Sequence, residues 1–208
     1  HQRVLVAQQV EDLQQGLVRQ AAFIPAVALE QFQQPVQRRL VLLAGQLLHE
    51  GVLDGEALVS DYLPELAESG WKGATVQQVL NMTAAVDYRE TFDGPQSDLF
   101  KYAVAAGILP AAPGFQGAAS LYEYLPTIGE QGRHGVEFHY RTAHTEVLGW
   151  LMRRATGQSS AELIAERLWG KLGAEQDAYL MVDAVGTEWA GAGLNVSPRD
   201  LARLAELL

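Results

Sequence analysis

The 208-residue chain contains no cysteine. That excludes a disulfide scaffold, a thiolate metal site and a cysteine nucleophile. Lysine is nearly absent: three residues, against twelve scattered arginines. With a formal net charge of −10 the chain lacks the clustered basic residues that phosphate neutralisation needs, so nucleic acid is not an expected partner. No apolar run reaches the roughly 18 residues of a membrane helix, and no signal peptide is legible. The expectation is therefore no membrane partner; the compartment stays open, with the cytoplasm slightly favoured, because a first residue of His1 leaves an exported origin open. What is present is 48% hydrophobic residues, enough for a core.

Composition changes near residue 40. Residues 1–40 hold ten Gln and one Gly, whereas residues 41–208 hold eight Gln and nineteen Gly. In the first stretch Val6, Val10, Leu13, Leu17 and Val18 recur at helical spacing, interrupted by Pro25 and Pro35. A second helix is predicted over 36–50, with Leu40, Leu43, Leu47 and Leu48 as its buried stripe and Gly51 as its stop. Leu53 to Pro64 reads as a loop. Thr75 and Gln78 form a capping box that opens a helix burying Val76, Val79, Leu80 and Met82. Residues 85–96 read as irregular, Ser97 to Ala106 and Ser120 to Ile128 as short helices, and His144 to Ala155 as a longer one stopped at Gly157. Ser159 and Glu162 make another capping box, Tyr179 to Val182 a short strand, and Ser197, Pro198 and Asp200 the start of a last helix.

Candidate chemistry is sparse. Ser69-Gly70-Trp71-Lys72 has Ser-x-x-Lys spacing, which is catalytic when it opens a helix and sets hydroxyl and amine on one face. Here Gly70 and Gly73 bracket it, so it reads as a loop with a solvated lysine. His134, His139 and His144 recur every five residues, a spacing that suits neither one helix face nor adjacent strand positions for a metal. Asp87, Glu90 and Asp93 lie in the irregular stretch and read as solvated. Tyr140 ends the piece Phe138-His139-Tyr140 just before a helix, where its hydroxyl can enter a cleft.

Whole segments then become recognisable: Leu42 to Gly51, Val59 to Leu66, Gly73 to Met82, Phe138 to Gly149 and Ala190 to Ala202. Together they resemble the serine β-lactamase and penicillin-binding superfamily. Asn81-Met82 and the string Leu168 to Tyr179 resemble the class C-like branch that includes the 6-aminohexanoate-oligomer hydrolases. The resemblance implies an α+β fold in which a helical subdomain sits in an antiparallel sheet. It appears here as a partial, predominantly helical β-lactamase/transpeptidase-like fold with few short strands. Residues 41–208 are the family-like part and 1–40 an atypical Gln-rich helical segment.

The resemblance also implies cofactor-free acyl transfer on a small amide or ester: a serine attacks, a lysine one turn later takes the proton, and a tyrosine relays it. Tyr140 matches the relay tyrosine. Thr142 stands where class C enzymes carry Asn, His144 at the start of the following helix is a further binding candidate, and Phe92 stands where the aminohexanoate hydrolases use a Tyr to hold the amide. The Ser-x-x-Lys position falls on Gln34-Pro35-Val36-Gln37, and residues 24–41 contain no Ser, Lys or Cys. Loss of the nucleophile in serine enzymes costs on the order of 10⁶ in rate. The expectation is a β-lactamase-related serine hydrolase in a truncated or inactive form, ending before the late sheet strands. The alternative is a non-catalytic ligand-binding or helical interaction module. Unpaired strand edges would favour self-association.

Overall fold

The computed structural model describes residues 4–6, 40–111 and 114–206. The expected Gln34–Gln37 site and the helical pattern from Val10 to Val18 lie outside the described residues. The order of elements is β1 (Val4–Val6), α1 (40–49), α2 (Val59–Tyr62), α3 (Val76–Leu80), α4 (Asp98–Ala105), α5 (Leu121–Tyr124), α6 (Thr142–Thr156), α7 (Ser160–Arg167), β2 (Ala178–Leu180), β3 (Leu194–Asn195) and α8 (Pro198–Ala205). Short 3₁₀ turns follow α2, α5 and α7, at Pro64–Leu66, Leu125–Thr127 and Trp169–Lys171.

Local chemistry accounts for most helix starts. Thr75 accepts the Gln78 amide while Gln78 Oε1 accepts the Thr75 amide, and Ser159 and Glu162 repeat the arrangement at α7. Ser97, Ser120 and Ser197 cap α4, α5 and α8 in the same way, each accepting the amide three residues on. Gly157, at φ 71°, ends α6 in the left-handed conformation that glycine takes without a Cβ penalty.

α6 organises the core. Its eleven residues from Thr142 to Met152 are all buried, so this helix is enclosed on every side rather than lying on a surface. Its neighbours α3, α2 and α7 pack on it, and Tyr122 of α5 stacks on Trp150 with ring centroids 3.9 Å apart. Trp71 meets His144 edge-on at 6.2 Å. Leu40, Leu43 and Leu47 of α1 join the same cluster, with Leu48 half-buried against it. The sheet is small. β2 pairs in parallel with β1, in the register Val4↔Ala178 to Val6↔Leu180, and antiparallel with β3.

Several expectations are corrected. Val6 closes a strand rather than opening a helix, because it finds a partner in β2, far along the chain. The expected Leu53–Pro64 loop contains α2, whose first free amide, Leu58 N–H, is taken by Asp61. α6 starts two residues earlier than His144, at Thr142, because a carboxylate from another segment satisfies its first amide. Leu80 and Met82 are half-buried rather than enclosed. The second strand ends at Leu180, with Val182 forming only an isolated bridge to Glu188.

Candidate functional site

The first turn of α6 gathers most of the sequence-predicted residues. Tyr140 precedes it and is half-buried, Arg141 is its N-cap residue, and Thr142 and His144 lie within it, both fully enclosed. The Thr142 amide donates to the Glu90 carboxylate. Glu90 thereby ties the irregular stretch 85–96 to the helix N-terminus, where a negative charge is favoured. This corrects the reading of Glu90 as a solvated loop carboxylate; Asp87 and Asp93 are exposed as expected. The Thr142 hydroxyl is buried without a hydrogen-bond partner among the described residues, as are the Tyr88 hydroxyl and His144 Nδ1.

His144 Nε2 donates to the Ala84 carbonyl at 3.0 Å. Burial, with the Arg141 charge beside it, pushes the imidazole down to about 3, so it is neutral in the folded protein. Arg141 is buried as well; its Nε donates to the Tyr88 carbonyl at 3.0 Å. Beside this turn lies an open groove of about 330 Å³ walled by Gln131, Arg133, Glu137, His139 and Arg141. The two neighbours of Tyr140 in sequence thus face the groove. Phe92, 49% exposed, packs on Phe100 with centroids 5.8 Å apart, and its loop reaches α6 through Glu90.

The other candidates separate. Ser69 is buried, but its hydroxyl donates to the Leu66 carbonyl and accepts the Trp71 amide. Lys72 points away into solvent and pairs with Glu68 at 2.9 Å. A Cβ at Gly70 would collide with the Gly129 carbonyl, so the loop's glycine serves close backbone packing. His134 accepts the Ala85 amide on Nδ1 and bonds the Lys72 carbonyl through Nε2. His139 pairs with Glu137. Among the described residues no three His, Cys, Asp or Glu converge on a common point for a metal, and no helix is long and apolar enough to cross a membrane.

Sequence reasoning missed Glu146. It sits one turn after Thr142, 3% exposed, and accepts three hydrogen bonds: Tyr102 Oη at 2.6 Å, the Ala190 amide at 2.9 Å and the Gly191 amide at 2.8 Å. Burial pushes its carboxyl up and these bonds pull it back, which leaves it at about 7. A signal existed in the sequence. Glu146 is the one carboxylate in the run Thr142 to Met152, where apolar and small residues otherwise dominate.

A protein-family model described as Beta-lactamase matches residues 40–208. The chain belongs to the β-lactamase family. It is 37% identical over 166 residues to a 6-aminohexanoate-dimer hydrolase of Paenarthrobacter ureafaciens, covering 80% of this chain and 42% of that protein. The solved structure of a putative 6-aminohexanoate-dimer hydrolase from Bacillus anthracis superposes with a TM-score of 0.72 at 32% identity, covering 81% of this chain and 45% of the other. A class C β-lactamase mutant shares the fold at a TM-score of 0.55 and 20% identity, over 81% of this chain and 47% of that one. The chain thus spans less than half the length of these relatives. The resemblance to the serine β-lactamase and penicillin-binding superfamily holds, and so does the β-lactamase/transpeptidase-like fold.

Proposed function

We infer that residues 40–206 carry the proton-relay side of an amide- or ester-hydrolase site of the aminohexanoate-dimer hydrolase type, with Tyr140 as the relay group. Thr142 and Phe92 would line the substrate side, and His144 would hold the turn in place as a neutral donor. The observation that carries this reading is the Thr142 hydroxyl. It is enclosed at the helix N-terminus, two residues from Tyr140, with no partner among the described residues. A buried hydroxyl left unpaired costs about 1–3 kcal/mol, which a reaction partner or substrate group at that position would recover.

In the family reaction a serine oxygen bonds to the carbonyl carbon, the amide or ester bond breaks, and water then releases the acyl group. Tyr140 would shuttle the serine proton to the leaving group. With Gln34-Pro35-Val36-Gln37 at the position of the Ser-x-x-Lys pair, this chain has neither nucleophile nor base there. The reading is therefore a family hydrolase whose catalysis is lost and whose cleft persists. Hydrolysis of a p-nitrophenyl ester and of 6-aminohexanoate dimer tests it. The expected rates equal the buffer control, and turnover above buffer overturns the inactive reading. The groove of about 330 Å³ walled by His139 and Arg141, the sequence neighbours of Tyr140, favours retained ligand binding. A thermal shift of the full chain by the aminohexanoate dimer is the corresponding expectation.

A further inference from the structure

Thr142, Glu146 and Gly149 are spaced by four and three residues, so they form one stripe on α6. The Ala190–Gly191 segment lies along that stripe. A Cβ on Gly149 would collide with the Ala190 Cβ. One on Gly191 would stand 2.7 Å from Thr142 Cγ2, 2.8 Å from Glu146 Oε1 and 3.2 Å from Tyr102 Oη. Both glycines are thus required for a close approach of two backbones, one on each side. At the middle of the contact the Glu146 carboxylate takes the Ala190 and Gly191 amides and the Tyr102 hydroxyl. Three chain segments, α4, α6 and the run into β3, meet at one carboxyl group.

We propose that Glu146 is a positioning residue: its carboxylate seats the Ala190–Gly191 segment on α6, and the seated segment fixes the Thr142 side chain next to Tyr140. The proposal rests on the reading of Tyr140 and Thr142 as part of a reaction cleft. Glu146 itself touches neither a reacting atom nor the groove walls, and it acts through Gly191 and Thr142.

All three partners are donors toward the carboxylate, and two of them, the amides, can never accept. A proton added to Glu146 can be received only by the Tyr102 oxygen, which must then turn its own hydrogen away. Protonation therefore weakens these bonds, since one oxygen becomes a hydroxyl and the acceptor strength of the group falls, and it loosens the segment's seat. The titratable groups around Glu146 are Tyr102 on α4, Tyr88 and Glu90 on the preceding loop, Tyr122 on α5 and Asp183 after β2; Arg153 of α6 stands against Tyr122, with Glu188 also nearby, and the three groups that bond the Glu146 carboxylate are all neutral. With no positive partner among these three, the balance between burial and hydrogen bonding falls near neutrality, and the tie is set by a proton.

The test is nuclear magnetic resonance of the full chain between pH 5.5 and 8.5. The Ala190 and Gly191 amide signals and the Thr142 methyl signal are expected to move together with one midpoint near 7, while the Leu47 methyls stay still. Glu146→Gln should flatten all three curves. Tyr102→Phe, which keeps both amide bonds and removes one that favours the ionised carboxyl, should move the midpoint upward; it also serves if Glu146→Gln does not fold. Amides that titrate while the Thr142 methyl stays fixed would show a tie that positions nothing, and would overturn the proposal. So would amides that do not titrate, or that titrate unchanged in Glu146→Gln. Failure of the cleft reading shows separately, as absence of any aminohexanoate-dimer-induced change at Thr142 or Tyr140 in the same spectra.

Discussion

Glu146 and Asp200 perform the same task at two places in the molecule and reach opposite charge balances. Both are buried, and each accepts two consecutive backbone amides from another segment: Ala190 and Gly191 for Glu146, Glu175 and Gln176 for Asp200. Burial pushes both carboxyls up. At Asp200 the bonds from Glu175 N, Ser197 Oγ, Gln176 N and Arg203 together outweigh burial, and the group sits below the usual carboxylate range. Arg203 Nη1 stands 2.8 Å from its Oδ1. Glu146 has a tyrosine hydroxyl where Asp200 has a guanidinium, and it rises to about 7. At Asp200 the Glu175 amide, the Ser197 hydroxyl and the Gln176 amide lower the carboxyl most, and the Arg203 guanidinium adds to them. Asp200 is thus a permanent fastening, and Glu146 one that responds to pH.

Truncation breaks the comparison most severely. Glu146→Ala strands two amides and the Tyr102 hydroxyl in an enclosed space, and each unpaired group costs about 1–3 kcal/mol. A destabilisation of about 4 kcal/mol is expected in urea unfolding at pH 7. A loss under about 1 kcal/mol would mean that water or a shifted side chain replaces the carboxylate, and that the tie is weak.

The pH dependence is the next largest effect. The Glu146 carboxyl rises from 4.5 unfolded to about 7 folded, so the native state holds the extra proton between those values. Its contribution to stability is therefore full below pH 4.5 and is lost as pH climbs through 7, a change of about 3 kcal/mol. His144 has the opposite sign. It falls from 6.5 to about 3, so the unfolded chain takes the proton first and stability is lost as pH drops below 6.5. For these two groups the slopes oppose between pH 4.5 and 6.5. Wild-type stability should be nearly level there, whereas Glu146→Gln should weaken steadily on acidification across the same interval. Parallel curves for the two proteins in a urea series would remove Glu146 from the account.

The contrast between the two carboxylates also explains which parts of this fold were legible in advance. Asp200 was placed correctly because its cap is local: Ser197, Pro198 and Asp200 lie within three positions, as do Thr75 with Gln78 and Ser159 with Glu162. The helix starts at Ser97, Ser120 and Ser159 are likewise readable from their caps, although the helix expected to reach Ile128 is α-helical only to Tyr124 and continues as a 3₁₀ turn, and the one expected to end near Gly170 ends at Arg167. Glu146 was not, because its partners lie 44 and 45 residues away and a helical glutamate ordinarily faces water. Glu90 escaped for the same reason, its bond to Thr142 spanning 52 residues, and so did Val6, whose strand partner is Leu180. Tyr140, Thr142 and His144 are candidates because a run of family-like residues carries them. The enclosure of Thr142 and His144 at the head of α6, with Tyr140 half-buried before them, is visible only in three dimensions. Ser69 and Lys72 show the converse: the right spacing, with the serine spent on a turn and the lysine in solvent.

The smallest expected effect sharpens the comparison from the other side. Arg203→Gln removes the positive charge beside Asp200 while leaving Ser197 and both amides in place. Arg203 is 35% exposed at its side chain and shares its charge with Glu175, so solvent already screens much of the pair. The loss of melting temperature should accordingly be well below that of Glu146→Ala. The informative readout is the carboxyl itself. With the cation gone, the Asp200 carbon signal should titrate at a higher pH than in the wild type, approaching the condition of Glu146, and the Glu175 and Gln176 amides should begin to move with it. If the Asp200 titration stays where it was, the three neutral donors are sufficient at that site, and the difference between the two carboxylates belongs to their surroundings rather than to Arg203.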